Sequence, residues 1–233
     1  MTHRPLVLAH RGACRRAPEN TIAAFAAARA LGADGVELDV RRTADGVLVV
    51  HHDPAIDGLG VLANVPFARL RAGRPDIPTL AEALEACRGM LVNVEVKCLP
   101  WEPDADADHV AARGSVDLVR DHGADAVFSS FDLATVDAVR AYAPGTETGF
   151  LVYGQDVDAA AALASERGHG WLHPERAAVV ADLDAIARCH DRGLRVDVWT
   201  VDDPADIVAL ASAGVDAIIT NVPDGALAAL DRG

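Results

Sequence analysis

Residues 30–40 read ALGADGVELDV. Gly32 stands where an Ala-rich helix needs a left-handed stop. Within three residues a new run begins, GVELDV, whose apolar and β-branched residues read as a strand. The same phrase of helix, glycine and strand returns at DHGADAVFSS (121–130), DRGLRVDVWT (191–200) and SAGVDAIIT (212–220). A helix that turns so quickly into the next strand is the bottom turn of a repeated β/α unit, a structural feature with little chemistry in it.

Eight strands are predicted: LVLAH (6–10), GVELDV (35–40), LVNVEVK (91–97), AVFSSF (126–131), TGFLVY (148–153), GWLH (170–173), RVDVWTV (195–201) and DAIIT (216–220). Helical stretches alternate with them, several opened by a capping residue such as Thr79, Asp132 or Asp203. Eight strands and eight helices in alternation predict an α/β, single-domain (β/α)8 TIM barrel. A doubly wound open sheet is the runner-up, but no GxGxxG follows the first strand. The whole chain, 1–233, is read as one domain. Its one irregularity is a segment of about 43–76, rich in loop signals. It is too short to be a domain and is read as an insertion in the second β/α loop, on the face where barrel active sites lie.

Composition narrows the functions. With 51% hydrophobic residues the chain can bury a large core. A net charge of −14 excludes a general polyanion binder. No apolar run approaches a membrane span, no targeting segment is visible, and Cys14, Cys87, Cys98 and Cys189 form neither a CxxC pair nor a zinc spacing. A reduced, cytoplasmic protein is expected.

Side chains two apart near a strand's end share a side of the sheet. Glu37 and Asp39 on one strand, and Glu95 and Lys97 on another, therefore face the barrel interior or its mouth. Inward charges must be paired or must hold a cation. Three carboxylates there make an oxygen-rich site suited to Mg²⁺ or Ca²⁺; a structural cluster neutralised by Lys97 and Arg41 explains the spacing equally well. Lys97 is the only lysine beside twenty arginines, which marks a position where a compact point charge does what a planar guanidinium cannot. His10, at the end of the first strand, and His51-His52-Asp53 in the insertion lie next to the acids, and imidazole is a natural proton carrier. Phe131 and Trp199, at the ends of the fourth and seventh strands, form either an apolar wall of the site or ordinary barrel core. Glu19 and Asn20 either brace the site or start the first helix. His173 is read as structural, and the acidic run EPDADADHV (102–110) as a solvated loop.

The order HRG (10–12), PENT (18–21), GVELDV, VVHHD (49–53), IPTLAEAL (77–84), VNVEVK (92–97), SSF (129–131), VWTV (198–201) and DAIITNVP (216–223) resembles the glycerophosphodiester phosphodiesterase family. The resemblance covers nearly the whole chain. It implies a (β/α)8 barrel and metal-dependent hydrolysis of glycerophosphodiesters to glycerol 3-phosphate and an alcohol. It places the divalent metal (Mg²⁺ or Ca²⁺) on Glu37, Asp39 and Glu95, the catalytic histidines at His10 and His52, and the phosphate-binding cations at Arg11 and Lys97. The chain departs from the family pattern in three places: AIDGLG stands for a longer segment after the HD pair, Asp202-Asp203 stands where Asn is common, and TNVP replaces a more usual TDYP. The expected partner is a small glycerophosphodiester, with no nucleic acid and no stable membrane insertion; a homodimer stays open. Two alternatives remain: phospholipase D-like action on lysolipids, which calls for an apolar rim supplied by Leu59, Val61, Leu62, Val65 and Phe67, and a non-catalytic phosphate-binding barrel.

Overall fold

The structure, a computed structural model, describes residues 4–97 and 99–231. Cys98 lies outside the described residues, and Cys14, Cys87 and Cys189 are free thiols. In chain order the strands are β1 (Leu6–His10), β2 (Gly35–Arg42), β3 (Leu48–Val50), β4 (Ala55–Ile56), β5 (Gly60–Val61), β6 (Leu91–Val96), β7 (Ala126–Ser130), β8 (Glu147–Val152), β9 (Trp171–Pro174), β10 (Arg195–Val198) and β11 (Ala217–Thr220). Eight of them, β1, β2 and β6 to β11, pair in parallel, and the β1–β2 pairing closes the sheet into a barrel. All eight expected strands are present; β10 ends at Val198, three residues before the sequence pattern does.

Local chemistry explains the alternation. The helix Ile22–Ala30 gives way to a left-handed Gly32 at φ +81°, and Pro204–Ser212 to Gly214 at +87°; a Cβ is disfavoured at both. Thr79 accepts from the N–H of Glu82, whose side chain returns the bond, a complete capping box. Asp132 and Asp203 cap the helices Leu133–Tyr142 and Pro204–Ser212 in the same sense. The Asp34 carboxylate in the 30–40 phrase accepts from Val7 N–H and pairs with Arg4, tying the turn to β1.

Leu8, Val127, Trp171, Ala217 and Ile219 form a buried cluster among the barrel strands. Outside the sheet, the apolar faces of strands and helices make two larger cores, one around β2 and β6 and one around β8 to β11. The insertion extends β2 into an antiparallel hairpin with β3 and adds the β4–β5 ribbon and the helix Phe67–Gly73. It has its own core of Val49, Ile56, Leu62, Val65, Leu70 and Ile77, against which Leu59 and Phe67 pack. Leu62 and Val65 are thus buried rather than turned to the mouth as an apolar rim. Among the described residues, no helix is long and apolar enough to cross a membrane.

Candidate active site

Strand register assembles the site. Parallel pairing sets His10 beside Glu37 and Asp39 beside Glu95. Alternation across each strand turns Glu37, Asp39, Glu95 and Lys97 to the same side. One oxygen from each of Glu37, Asp39 and Glu95 lies within 4.8 Å of the other two, and all three residues are buried.

Two cations answer these acids, and neither is Arg41. Lys97 Nζ lies 2.6 Å from Glu95 Oε1 and 3.2 Å from Asp39 Oδ1. Arg11 Nε lies 3.3 Å from Asp39 Oδ2, while its other end holds Glu19 at 2.8 Å. Arg11 and Asn20 both adopt left-handed backbone, at φ 56° and 57°, a conformation uncommon for residues with a Cβ and concentrated at functional sites. In that conformation Arg11 turns its N–H onto Glu37 Oε2 at 3.0 Å, and Asn20 donates its amide to Asp39 Oδ2 at 2.7 Å. The first helix is capped by Thr21, so Glu19 and Asn20 brace the site rather than start the helix.

The balance of charge is uneven. Burial works against ionised Asp39, but Lys97 and Arg11 outweigh it and hold the carboxyl down at about 2. Burial, together with the charges of Asp39 and Glu95, pushes Glu37 well above the usual carboxylate range. Burial likewise raises Glu95, against the pull of Lys97, and the surrounding acids raise Lys97 in spite of its own burial. Glu37 Oε1 is buried without a partner, and Asp39 Oδ1 and Glu95 Oε1 are buried with only the Lys97 ammonium against them. Three buried carboxylates against two cations leave a negative excess and more acceptor oxygens than the cations fill. A hard divalent ion satisfies such a set, so these residues fit the group expected from the sequence.

The cavity beside the acids has a volume of about 120 Å³ and is lined by His10, Arg11, His52, Lys97, Phe131 and Trp199, among others. The nine side chains singled out from sequence therefore come together at one end of the barrel. Phe131 and Trp199 meet edge to face at 5.4 Å between ring centroids, and Lys97 Nζ sits 5.6 Å from the Phe131 ring centre. Trp199 is anchored by its indole N–H on the His173 carbonyl at 2.7 Å. His173 itself is fully buried, its ring 3.6 Å from Asp197, and burial depresses it to about 3. It takes no part in the cavity lining.

The two histidines are held differently. His52 Nδ1 lies 2.7 Å from the Asp53 carboxylate. His10 Nδ1 lies 2.8 Å from Asn221 Oδ1, and burial lowers its proton affinity. Asn221 in turn donates to Asp202 at 2.8 Å, so two of the departures from the family pattern touch each other.

The run 102–110 is not the solvated loop expected. Asp104 and Asp106 are buried. Asp104 and Glu102 grip the buried Arg41 guanidinium at 2.7 Å and 3.0 Å. Arg41 Nε then donates to the His52 backbone carbonyl at 2.7 Å. Arg41 is thus spent on holding His52 in place, a role that spacing alone does not reveal because its partners are more than sixty residues away.

Fold and site together define an enzyme of the (β/α)8-barrel class, with an acidic, histidine-flanked centre at the C-terminal ends of its strands. A sequence model of the Glycerophosphoryl diester phosphodiesterase family matches residues 10–225, and the chain belongs to that family. It is 34% identical to a glycerophosphodiester phosphodiesterase of Caldanaerobacter subterraneus, over 94% of this chain and 95% of that one. A crystal structure of a glycerophosphodiester phosphodiesterase from Parabacteroides distasonis superposes with a TM-score of 0.86 at 26% identity, covering 100% of this chain and 99% of that one. A phosphodiesterase of Oleispira antarctica, solved with the product sn-glycerol-3-phosphate, superposes with a TM-score of 0.85 at 26% identity, covering 98% of this chain and 97% of that one.

Proposed function

We propose that this phosphodiesterase hydrolyses soluble glycerophosphodiesters to glycerol 3-phosphate and an alcohol, with a divalent cation on Glu37, Asp39 and Glu95 and with His10 and His52 as the proton-transfer pair. The observation that carries this reading is the convergence of three buried carboxylates beside two histidines and two cations at one cavity. A phosphodiester repels nucleophiles by its own charge and releases an alkoxide reluctantly. Held by Glu37, Asp39 and Glu95, Mg²⁺ or Ca²⁺ would supply Lewis-acid polarisation of a phosphoryl oxygen, which would offset both problems. Lys97 and Arg11 supply positive charge on an otherwise acidic protein, where charge spreads over the equatorial oxygens. One imidazole takes a proton from the nucleophile and the other returns one to the departing oxygen, each worth roughly 10²–10⁴-fold. Phe131 and Trp199 offer an apolar wall to the glycerol or alcohol moiety.

Burial of Leu62 and Val65 in the insertion's own core favours soluble diesters over lysolipids. The filled set of acids, histidines and cations favours catalysis over simple phosphate binding. The test is a coupled assay for glycerol 3-phosphate release from glycerophosphocholine, glycerophosphoethanolamine and glycerophosphoglycerol, and for choline release from lysophosphatidylcholine, with and without EDTA. Product from a soluble diester only when Mg²⁺ or Ca²⁺ is present is the expected result. Release that ignores chelation overturns the metal role, and choline release from the lysolipid with no product from the soluble diesters overturns the substrate class.

A further inference from the structure

The His10 ring is held by a chain of groups that leads away from the cavity. Asp202, after β10, can only accept. Its Oδ1 takes the backbone N–H of Asn221 at 2.8 Å and the Thr220 hydroxyl at 3.1 Å. Its Oδ2 takes the side-chain amide of Asn221 at 2.8 Å, with the Arg15 guanidinium 3.6 Å away. Burial pushes Asp202 up, but the bonds from Asn221 and Thr220 outweigh it and hold the carboxyl below its ordinary range, so near neutral pH it has no proton to give.

An amide has one donating end and one accepting end. With its NH₂ turned to a carboxylate, Asn221 must present Oδ1 to His10, 2.8 Å from Nδ1. The Cys14 thiol, 3.2 Å away, donates to the same oxygen, which suits an acceptor and not a donor. The ring hydrogen therefore sits on Nδ1, and Nε2 is left as a bare lone pair. This outcome is not automatic. Nε2 has Glu37 Oε2 near it only at 3.9 Å, beyond hydrogen-bond reach, so in a ring free of Asn221 no partner fixes the hydrogen on Nδ1.

We infer that Asn221 and Asp202 are positioning residues that hold His10 in its Nδ1–H tautomer, leaving Nε2 open to a proton from the nucleophile. The second half rests on the proposed hydrolysis; the tautomer does not. Which nitrogen carries the hydrogen is set by the partner of the other, and a wrong tautomer disables an otherwise intact proton carrier.

Side-chain ¹⁵N–¹H NMR of the wild-type protein, with the His10 signals assigned by their loss in His10→Gln, reads the tautomer directly. A neutral ring bearing its hydrogen on Nδ1 is expected, and an Nε2–H ring overturns the inference. Asp202→Asn removes the demand that fixes the amide of Asn221. It is expected to yield a mixture of tautomers and to lower kcat by roughly 10–100-fold, the usual scale for a partner that orients a functional ring, with KM within about two-fold. The exchanged pair, Asp202→Asn with Asn221→Asp, restores the pattern: a carboxylate accepts from Nδ1–H and an amide donates to that carboxylate. It should return kcat to within about three-fold of wild type, a coupling between neighbours that independent structural damage does not show. An exchanged pair no better than the product of the single variants overturns the relay. An Nδ1–H ring in a protein that releases no glycerol 3-phosphate with any divalent ion supports the relay while overturning the hydrolysis.

Discussion

Lys97 touches two acids and sits below an aromatic face, in a pocket that leaves it only 6% exposed. An ammonium contacts Asp39 and Glu95 from one point, whereas a guanidinium is wider and planar and has to displace Phe131 or one of the carboxylates. Lys97→Arg therefore keeps the charge and loses the geometry. A fall in kcat/KM of roughly 10²-fold or more is expected, the scale of one misplaced transition-state donor; a rate within about three-fold of wild type refutes that role. Glu37 carries the opposite tension. Its carboxyl is raised well above the usual range by burial and by Asp39 and Glu95. A group that binds its proton more tightly folded than unfolded loses stability as pH rises through that interval. Asp39, held at about 2, titrates below this window and does not cancel it. Without metal, then, the Glu37 contribution favours the folded state in the ordinary carboxylate range and erodes it as pH rises through the raised range of the folded protein. His10 and His173, both lowered by burial, act with the opposite sign as pH rises toward the ordinary imidazole range. Glu37→Gln should raise the melting temperature of the EDTA-treated protein at pH 8, each kcal/mol being worth roughly 2–4 °C at this chain length. The same variant should flatten the dependence on pH and abolish the stabilisation by added Mg²⁺ or Ca²⁺. A Glu37→Gln protein whose metal-free stability follows the same pH dependence as wild type contradicts the argument.

At the scale of elements, the loop after β6 and the insertion after β2 are joined by one buried guanidinium. Arg41 lies on β2, its acids on the 102–106 loop, and its third partner is the His52 carbonyl. Removing one member of a buried pair leaves the other uncompensated, typically at a cost of about 3–5 kcal/mol. Arg41→Met should lower the melting temperature by roughly 6–20 °C and reduce kcat as His52 loses its tether. Adding Asp104→Leu, which removes the stranded acid, should recover part of the stability but not the kcat. Equal recovery of both means that His52 does not depend on the clamp. This element also shows what was legible in the sequence. Strands, helices and their caps were readable because each is written within a few residues by periodicity, Asp or Thr at the start and Gly at the end. The acid pairs were readable because spacing by two within a strand is local as well. The Arg41 clamp and the His10–Asn221 contact were not, since they join residues 61 to 211 positions apart. Linear pattern carries no trace of such pairing, and so the buried 102–106 acids looked like a solvated loop. The insertion's Leu62 and Val65 were ambiguous for the same reason: five apolar residues in a loop serve a rim or a small core equally well until the tertiary neighbours are known.

The whole molecule carries a net charge of −14, while its cavity presents Arg11 and Lys97 to an anion. With a dication on the three acids the local field would turn positive and oppose the long-range one, and ionic strength separates them. At about 10 mM salt the screening length is roughly 30 Å, so charges across the barrel reach an approaching substrate; at 150 mM it is about 8 Å, and mainly the mouth is felt. Glycerophosphoglycerol, a net anion, meets the global repulsion, whereas zwitterionic glycerophosphocholine has no net charge for it to act on. Within the bound complex the contacts are short and partly buried, where salt screens little. Raising sodium chloride from 10 to 150 mM should thus increase kcat/KM for the anionic diester by about two- to five-fold, at the low end of the range for electrostatic effects on encounter. The same change should leave kcat for both substrates, and kcat/KM for glycerophosphocholine, within about 1.5-fold. If kcat/KM for the anionic diester falls instead, the positive groups of the mouth govern approach as well as binding, and the acidic exterior is irrelevant to encounter.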